Sequence, residues 1–417
     1  MSTILISAYA CEPDKGSEPG AGWHWAKQIA KKHAVIVLTR ANNRGSIEKE
    51  LQKHPDPNMT FLYYDVPRCF TFWKRGQRGV QLYYVLWQIG AYRVAKKFTA
   101  QTKVDIALAL TFGNMWLPTL MHKLPCRFIW GPIGGGEGIP KKLWSHVSTK
   151  QRLFENLRHI NPHVCITNPW FRSACKKAET LIMRTEDSRV CIPAKYQYKC
   201  RVMIETGVNR EECQSISNQM SAISPNELFF AVIGRLVSFK FVDIAIRAMK
   251  IVASPHPNCK LKVVGNGERR KSLEALVQEL NLNEHVEFVG SVTREESIRY
   301  TSGSLALLIT SAREGGSWVL YEAMMCHKPI ICMDTSGMHM LVDPNGGIKI
   351  PVADYDTLVK AFADAMCRLI ENPDLAHKMG EVGFKRVSTA LLWDEKGRFF
   401  ESILQEKGRE NESSDCP

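Results

Sequence analysis

Short apolar, β-branched runs alternate with longer stretches of helical periodicity along almost the whole of this 417-residue chain. No other feature limits the fold as strongly, because such alternation builds a parallel sheet covered by helices. In the first half, Thr3–Ser7, Ala34–Thr39, Thr60–Tyr64, Ile106–Thr111, Arg127–Trp130 and Val164–Thr167 read as strands. Helical patterns fall at Trp23–Lys31 and Val80–Thr99, with a weaker one from Tyr196. A second series of strands follows at Leu228–Ile233, Lys260–Val264, Val286–Val289, Leu305–Ile309 and Pro329–Met333. Its helices read as Phe241–Val252, Arg269–Glu279, Arg294–Thr301, Trp318–Met325 and Asp356–Glu371. The polar segment Glu205–Pro225 marks the join. The expected class is therefore α/β, with two Rossmann-like, doubly wound domains facing a cleft where ligands bind. Residues 1–205 form the first domain, 206–389 the second, and 411–417 a flexible tail.

Composition narrows the function. With 45% hydrophobic and 23% charged residues the chain is globular, which excludes a disordered or fibrous protein. No apolar run approaches the roughly 18–20 residues needed to cross a bilayer. Met1–Tyr9 lacks a basic leader and reads as a first strand, not a signal peptide. Thirteen cysteines form no C-x-x-C pair, which argues against a zinc ribbon or thioredoxin motif and fits a reducing cytoplasm.

Charge is lopsided. Residues 1–205 carry a net +17 and residues 206–417 a net −4. The basic half suits an anionic partner: a membrane surface or a phosphorylated acceptor, with nucleic acid last because no recognised module is present. Within it, Lys74, Arg75, Arg78, Arg93, Lys96 and Lys97 interleave with Phe70, Phe72, Trp73, Tyr83, Tyr84, Trp87 and Tyr92. Cations beside aromatics suit a membrane interface, while an aromatic stripe on a helix suits a core. Both hold if the rings point inward and the cations outward.

Four loops carry candidate chemistry. After the strand ending at Ile309, Thr310–Ala323 reads TSAREGGSWVLYEA. Its glycines let backbone N–H groups approach a ligand, and a helix opening near Trp318 favours phosphate. Glu314 and Glu322 flank that turn, and a carboxylate accepts two hydroxyl hydrogen bonds at once. After the strand LFFAVI comes Gly234-Arg-Leu-Val-Ser-Phe-Lys240, whose Arg235 and Lys240 can clamp a diphosphate. Lys15–Gly22, with Gly20 and Gly22, joins the first strand to a helix at Trp23, and Gly131–Glu137 follows the strand RFIW. Gly265-Asn-Gly267 reads as a structural turn. Asp354-Tyr-Asp356 resembles a metal-binding D-x-D but sits where Asp caps a helix, so no metal site is expected. His24 reads as packed, and Cys326 and Cys332 as ordinary core.

Together these pieces resemble one family. GRLVSFK, VVGNGE, HVEFVG and EGGSWVLYE occur in the order found in the retaining, nucleotide-sugar-dependent glycosyltransferases of family 4, which have the GT-B fold. ISAYACEP, GSEPGAGW, LTFGNMWLP and FIWGPIGGGE resemble its bacterial members in the first half. The resemblance implies that Arg235 and Lys240 hold the donor diphosphate together with backbone at Gly234, Gly315, Gly316, Ser317 and Trp318. It places Glu322 on the ribose, Glu314 on the transferred sugar, and the turn at Gly20–Gly22 over the phosphates. It also implies that a C-terminal helix near residues 390–410 returns to the first domain. Three positions depart from the family: Phe241 and His327 where it has Gly, and Leu108 or Ala109 where it has His.

The implied activity is transfer of a sugar, hexosyl in type, from a nucleotide-diphosphate sugar to an acceptor hydroxyl with retention and without a metal or other cofactor. The setting would be bacterial glycan, glycolipid or glycosylated-metabolite synthesis, with an anionic or lipid-linked acceptor. The expected location is cytoplasmic, with peripheral contact at the inner face of the membrane. The alternatives are a catalytically degenerate binding protein, favoured by the missing His and by Phe241, or a GT-B nucleotide-sugar epimerase.

Overall fold

The computed structural model describes residues 1–74, 76, 78–117, 119–220 and 227–414. The chain forms two compact units. The first comprises Met1–Gly136, His159–Gly207 and the chain from Trp393 onward; the second comprises Glu137–Arg158 and Val208–Leu392.

The first unit is built on seven parallel strands: β1 (Thr3–Ser7), β2 (Ala34–Arg40), β3 (Met59–Tyr64), β4 (Ile106–Ala109), β5 (Arg127–Ile133), β6 (Thr180–Met183) and β7 (Cys200–Val202). Their order is β3-β2-β1-β4-β5-β6-β7. The second unit has β8 (Phe229–Ile233), β9 (Lys260–Val264), β10 (Val286–Gly290), β11 (Leu307–Ile309), β12 (Ile330–Met333) and β13 (Gly347–Ile350), ordered β10-β9-β8-β11-β12-β13. In each sheet the order reverses between its first and fourth strands, the arrangement that opens a ligand crevice at their carboxyl ends. The doubly wound α/β class read from the sequence is the one observed.

Burial explains why these runs are strands. β4, β6, β8 and β12 are buried at every position, as central parallel strands covered on both faces must be. The second core joins Phe230, Val232, Leu261, Val263, Leu308 and Ile331 to Ile244, Met249, Leu358 and Phe362 on the helices Val242–Val252 and Tyr355–Glu371. Each such side chain contributes about 1.5–3 kcal/mol relative to exposure.

Several local expectations are corrected. Val164–Thr167 is the end of the helix Thr149–Thr167, because four residues, three of them β-branched, cannot override the helical pattern preceding them. The segment expected as a join carries a helix, Arg210–Met220, while its residues 221–226 lie outside the described residues. Glu137–Arg158, expected in the first domain, packs in the second unit, where Ile139, Leu143 and Val147 enter its core. The last helix begins at Trp393, belongs to the first unit and continues to Ser414, through part of the expected tail; residues 415–417 lie outside the described residues.

No described helix is long and apolar enough to cross a membrane. In the helix Val80–Thr99, Tyr83, Tyr84 and Trp87 are buried around Tyr9, whereas Arg93, Lys96 and Lys97 are exposed. Phe70 and Phe72 are exposed as well; Arg75 lies outside the described residues.

Candidate active site

The site grows from the carboxyl ends of β8 and β11, at the point where the second sheet reverses its order. β8 closes on Gly234, whose φ of 140° excludes most side chains. The turn after β9 lies directly against it: a Cβ on Gly265 would meet the Gly234 carbonyl oxygen at 2.0 Å. Gly265 is therefore structural, as the sequence indicated. Arg235 stands exposed beyond this turn.

Lys240 ends a 3-10 turn, Ser238–Lys240, and Phe241 follows with φ 45°. A left-handed non-glycine residue costs roughly 1–2 kcal/mol. The Phe241 ring is fully buried, which offsets that cost by about 1.5–3 kcal/mol. This is how the chain dispenses with glycine there. The turn is fastened to the loop after β11: the Thr310 hydroxyl donates to the Lys240 carbonyl at 2.7 Å, and the Ala312 N–H to the Phe239 carbonyl at 3.0 Å. Gly234, Arg235, Lys240, Thr310 and Ser311 line one recess.

Glu314 projects from this loop, and its carboxylate forms a direct ion pair with the Lys240 ammonium. Both side chains are largely shielded, at 13% and 17% exposed. The loop backbone is held from behind. The Gly337 N–H donates to the Glu314 carbonyl at 2.8 Å, and a Cβ on Gly337 would lie 2.0 Å from the Gly315 carbonyl oxygen. Gly315, Gly316 and Ser317 then lead, half-buried, into the helix Trp318–Met325. Ser317 makes no side-chain cap at that terminus, although serine there commonly satisfies one of the orphan N–H groups. Glu322 lies one turn inside the helix and is buried. Burial pushes its carboxyl up, while the Arg294 guanidinium works against that shift. Arg294 Nε donates to Glu322 Oε1 at 2.8 Å, and its other arm reaches Glu212 at 2.7 Å.

A second carboxylate hub supports the same loop. Glu155, 1% exposed, accepts from Arg313 at 2.8 Å, Gln151 at 2.8 Å and the Ile139 N–H at 3.0 Å. Arg313 also lies over the Phe239 ring, 4.7 Å from its centre. The residues before Lys240 and Glu314 are thus bound to a segment contributed by the first half of the chain.

In the first unit, Gly20 and Gly22 lie inside a helix that begins at Ser17, not at Trp23. Their missing side chains let that helix press on the preceding loop: a Cβ would meet the Lys15 oxygen at 1.9 Å or the Ala10 oxygen at 2.1 Å. Glu18, Thr111, Arg184 and Glu205 line a recess in this unit. Leu108 and Ala109 are buried in β4. His24 stacks on Trp393 at 4.6 Å, and burial lowers its pKa to about 4. Asp354 caps the helix Tyr355–Glu371, accepting from the Thr357 N–H at 3.0 Å. His327 has φ 53° and bridges elements, bonding Ser217 at 2.8 Å and Glu381 at 2.6 Å and stacking on Phe384 at 4.0 Å.

Sequence reasoning brought Arg235, Lys240, Glu314 and Glu322 into one unit but missed Glu155, Arg294, Arg313 and Gly337. Only Arg313, beside Glu314, carried a local signal.

Comparison with known proteins places the chain among similar sequences and folds. Residues 215–386 match the family model of the glycosyl transferases group 1. A Corynebacterium glutamicum GDP-mannose-dependent monoacylated alpha-(1-6)-phosphatidylinositol monomannoside mannosyltransferase is 26% identical over 182 residues, 42% of this chain and 46% of that one. The chain spans about half the length of the curated relatives it matches. Among solved structures, sucrose-phosphate synthase from Thermosynechococcus elongatus aligns with a TM-score of 0.64 at 18% identity, over 98% of this chain and 100% of that one. Anabaena Alr3699/HepE in complex with UDP aligns with a TM-score of 0.62 at 15% identity, over 97% and 100%. These neighbours share the two-domain GT-B fold. Residues 215–386, under half of the chain, are thus similar to the glycosyl transferases group 1.

Proposed function

We propose that this protein transfers a sugar, hexosyl in type, from a nucleoside diphosphate donor to an acceptor hydroxyl in bacterial glycan or glycolipid synthesis, with retention at the anomeric carbon as in family 4. The observation that carries the reading is the convergence of Arg235, Lys240 and Glu314 at the switch point of a group 1 domain. A leaving diphosphate develops negative charge, and fixed cations placed where that charge appears lower the barrier. Arg235 offers a planar fork and Lys240 a compact ammonium. In this reading the uncapped turn at Gly315–Trp318 takes the same phosphates, so the mechanism calls on no metal.

Glu314, beside Lys240, is assigned to the transferred sugar, and Glu322 to the ribose. For Lys240 to reach the diphosphate and Glu314 the sugar, their ion pair opens, and the donor supplies the new partner of each. Retention is then a same-face event, in which the donor phosphate receives the acceptor proton. Gly20 and Gly22 have a sufficient structural role in the packing of their helix, so the assignment to phosphates rests on the resemblance alone.

The relative named above acts on a phosphatidylinositol mannoside, a lipid-linked acceptor. The exposed Arg93, Lys96 and Lys97, with Phe70 and Phe72, support a similar acceptor class and a cytoplasmic enzyme touching anionic membrane. Vesicle sedimentation tests this: binding to anionic vesicles that fades near physiological salt supports it, and equal partition onto neutral vesicles, or none, removes it.

The transfer itself is tested by supplying UDP- and GDP-sugars with lipid extracts and following the new anomeric proton by NMR. A product with the donor's configuration supports the reading. Inversion, or a rearranged free sugar without acceptor, contradicts it.

A further inference from the structure

Glu322 is a carboxylate that folding places at a disadvantage. It is 5% exposed, and burial raises its pKa. Its immediate charged surroundings come from three elements. Arg294 begins the helix Arg294–Gly303, and Glu212 lies in the helix Arg210–Met220. Cys326, at the end of Glu322's own helix, has its thiol pushed up by burial to about 12, so it stays neutral. Arg294 is therefore the one cation paired with Glu322 among the described residues, and it meets Glu322 and Glu212 with different nitrogens.

A guanidinium is planar, and two carboxylates on separate nitrogens fix its plane. Glu212 is thus as much a part of the device as the cation. It prevents Arg294 from swinging outward, where half of its side chain is already exposed. The carboxylate plane of Glu322 is fixed in turn.

We propose that Arg294 is a positioning residue for the donor's ribose: forked between Glu212 and Glu322, it holds the Glu322 carboxylate in the orientation that accepts hydrogen bonds from a vicinal diol. This rests on the reading that Glu322 meets the ribose. Diol recognition requires an ionised acceptor with a defined direction, because hydrogen bonds weaken steeply when misaligned. Arg294 supplies both conditions without touching the nucleotide through its side chain.

The test is calorimetry on the full chain with UDP, GDP and their 2′-deoxy counterparts, at pH 7.5 and pH 6. The variants are Arg294→Met, Arg294→Lys, Glu212→Gln and Glu322→Gln. Wild type favours ribonucleotide over deoxyribonucleotide by about tenfold, the worth of one charged hydrogen bond. Arg294→Met reduces that preference to about threefold or less, and more at pH 6 than at pH 7.5, because an unpaired buried carboxyl is pushed further up. Arg294→Lys keeps the charge but not the fork, so it abolishes the pH response more fully than it restores the preference. Glu212→Gln lowers the preference without the pH response. Retention of the full preference by Arg294→Met and Arg294→Lys, while Glu322→Gln loses it, overturns the role of Arg294 and leaves the ribose reading standing. Wild-type preference in Glu322→Gln, or no binding of either ribonucleotide, removes both.

Discussion

Lys240 and Glu314, 74 residues apart in sequence, form a direct ion pair at the carboxyl edge of the second sheet. Neither can serve a substrate while committed to the other, so the pair sets the resting state of the site. Because Arg235 lies outside the pair, the proposed function makes it the first cation to meet the donor diphosphate. Replacing Lys240 or Arg235 with Ala lowers kcat by about 10²-fold, as expected for charges that stabilise the transition state more than the ground state. Steady-state kinetics on folded variants measures this; near wild-type turnover in both would remove the clamp.

The two glutamates separate under substitution. Glu322→Gln weakens free nucleoside diphosphate, because its proposed partner is the ribose. Glu314→Gln leaves that affinity nearly unchanged and slows transfer, because its proposed partner is the sugar. Calorimetry paired with turnover decides, and the opposite pattern would exchange the roles.

Glu155 links the segment 137–158 to the loop before Glu314 through Arg313. Glu155→Ala leaves the partly shielded Arg313 guanidinium and the Ile139 N–H without their partner, which costs about 1–3 kcal/mol. The expected result is a lower denaturation midpoint together with reduced turnover. Glu155→Gln keeps the shape, so a smaller loss of stability with turnover still reduced would show that the charge, not the packing, orders the loop. Unchanged stability in Glu155→Ala would contradict the hub.

The fold class was legible because periodicity reports burial directly, and the strands β8, β11 and β12 are continuous apolar runs. Arg235, Lys240, Glu314 and Glu322 were legible for another reason: each sits within a few residues of a strand end or helix start, where local sequence carries the signal. Glu155, Arg294 and Gly337 were not, since their roles depend on contacts made across distant parts of the chain. At Gly20 and Gly22 it was the start of the helix that the local sequence hid. A glycine-rich run read as a loop belongs to a helix that begins at Ser17 and packs closely on its own preceding loop. His327 looked like a lost glycine, but it keeps the left-handed backbone and adds bonds to Ser217 and Glu381.

Lys396, 2% exposed in the first unit, is held by burial at a pKa of about 8, below the usual lysine value. A folded pKa below the unfolded one means that the unfolded chain binds more protons between pH 8 and about 10.4. This residue's contribution therefore rises with pH across that window and is unfavourable below pH 8. Lys396→Met removes the charge, so it stabilises the protein at pH 7 by about 3 kcal/mol and abolishes that part of the pH dependence. Urea denaturation of both proteins at pH 7 and pH 10 measures the difference. A destabilised variant at pH 7 would contradict the account.

In the proposed function the switch point of the second sheet binds a nucleoside diphosphate through Arg235 and Lys240. Thermal unfolding with UDP, GDP and their sugars, on wild type and the Arg235→Ala/Lys240→Ala double variant, tests it most directly, because a ligand that binds only the folded state raises the midpoint. The expected result is that at least one of these ligands raises the wild-type midpoint by several degrees and leaves that of the double variant unmoved. An equal rise in both proteins, or none in wild type with any of these ligands, would contradict it.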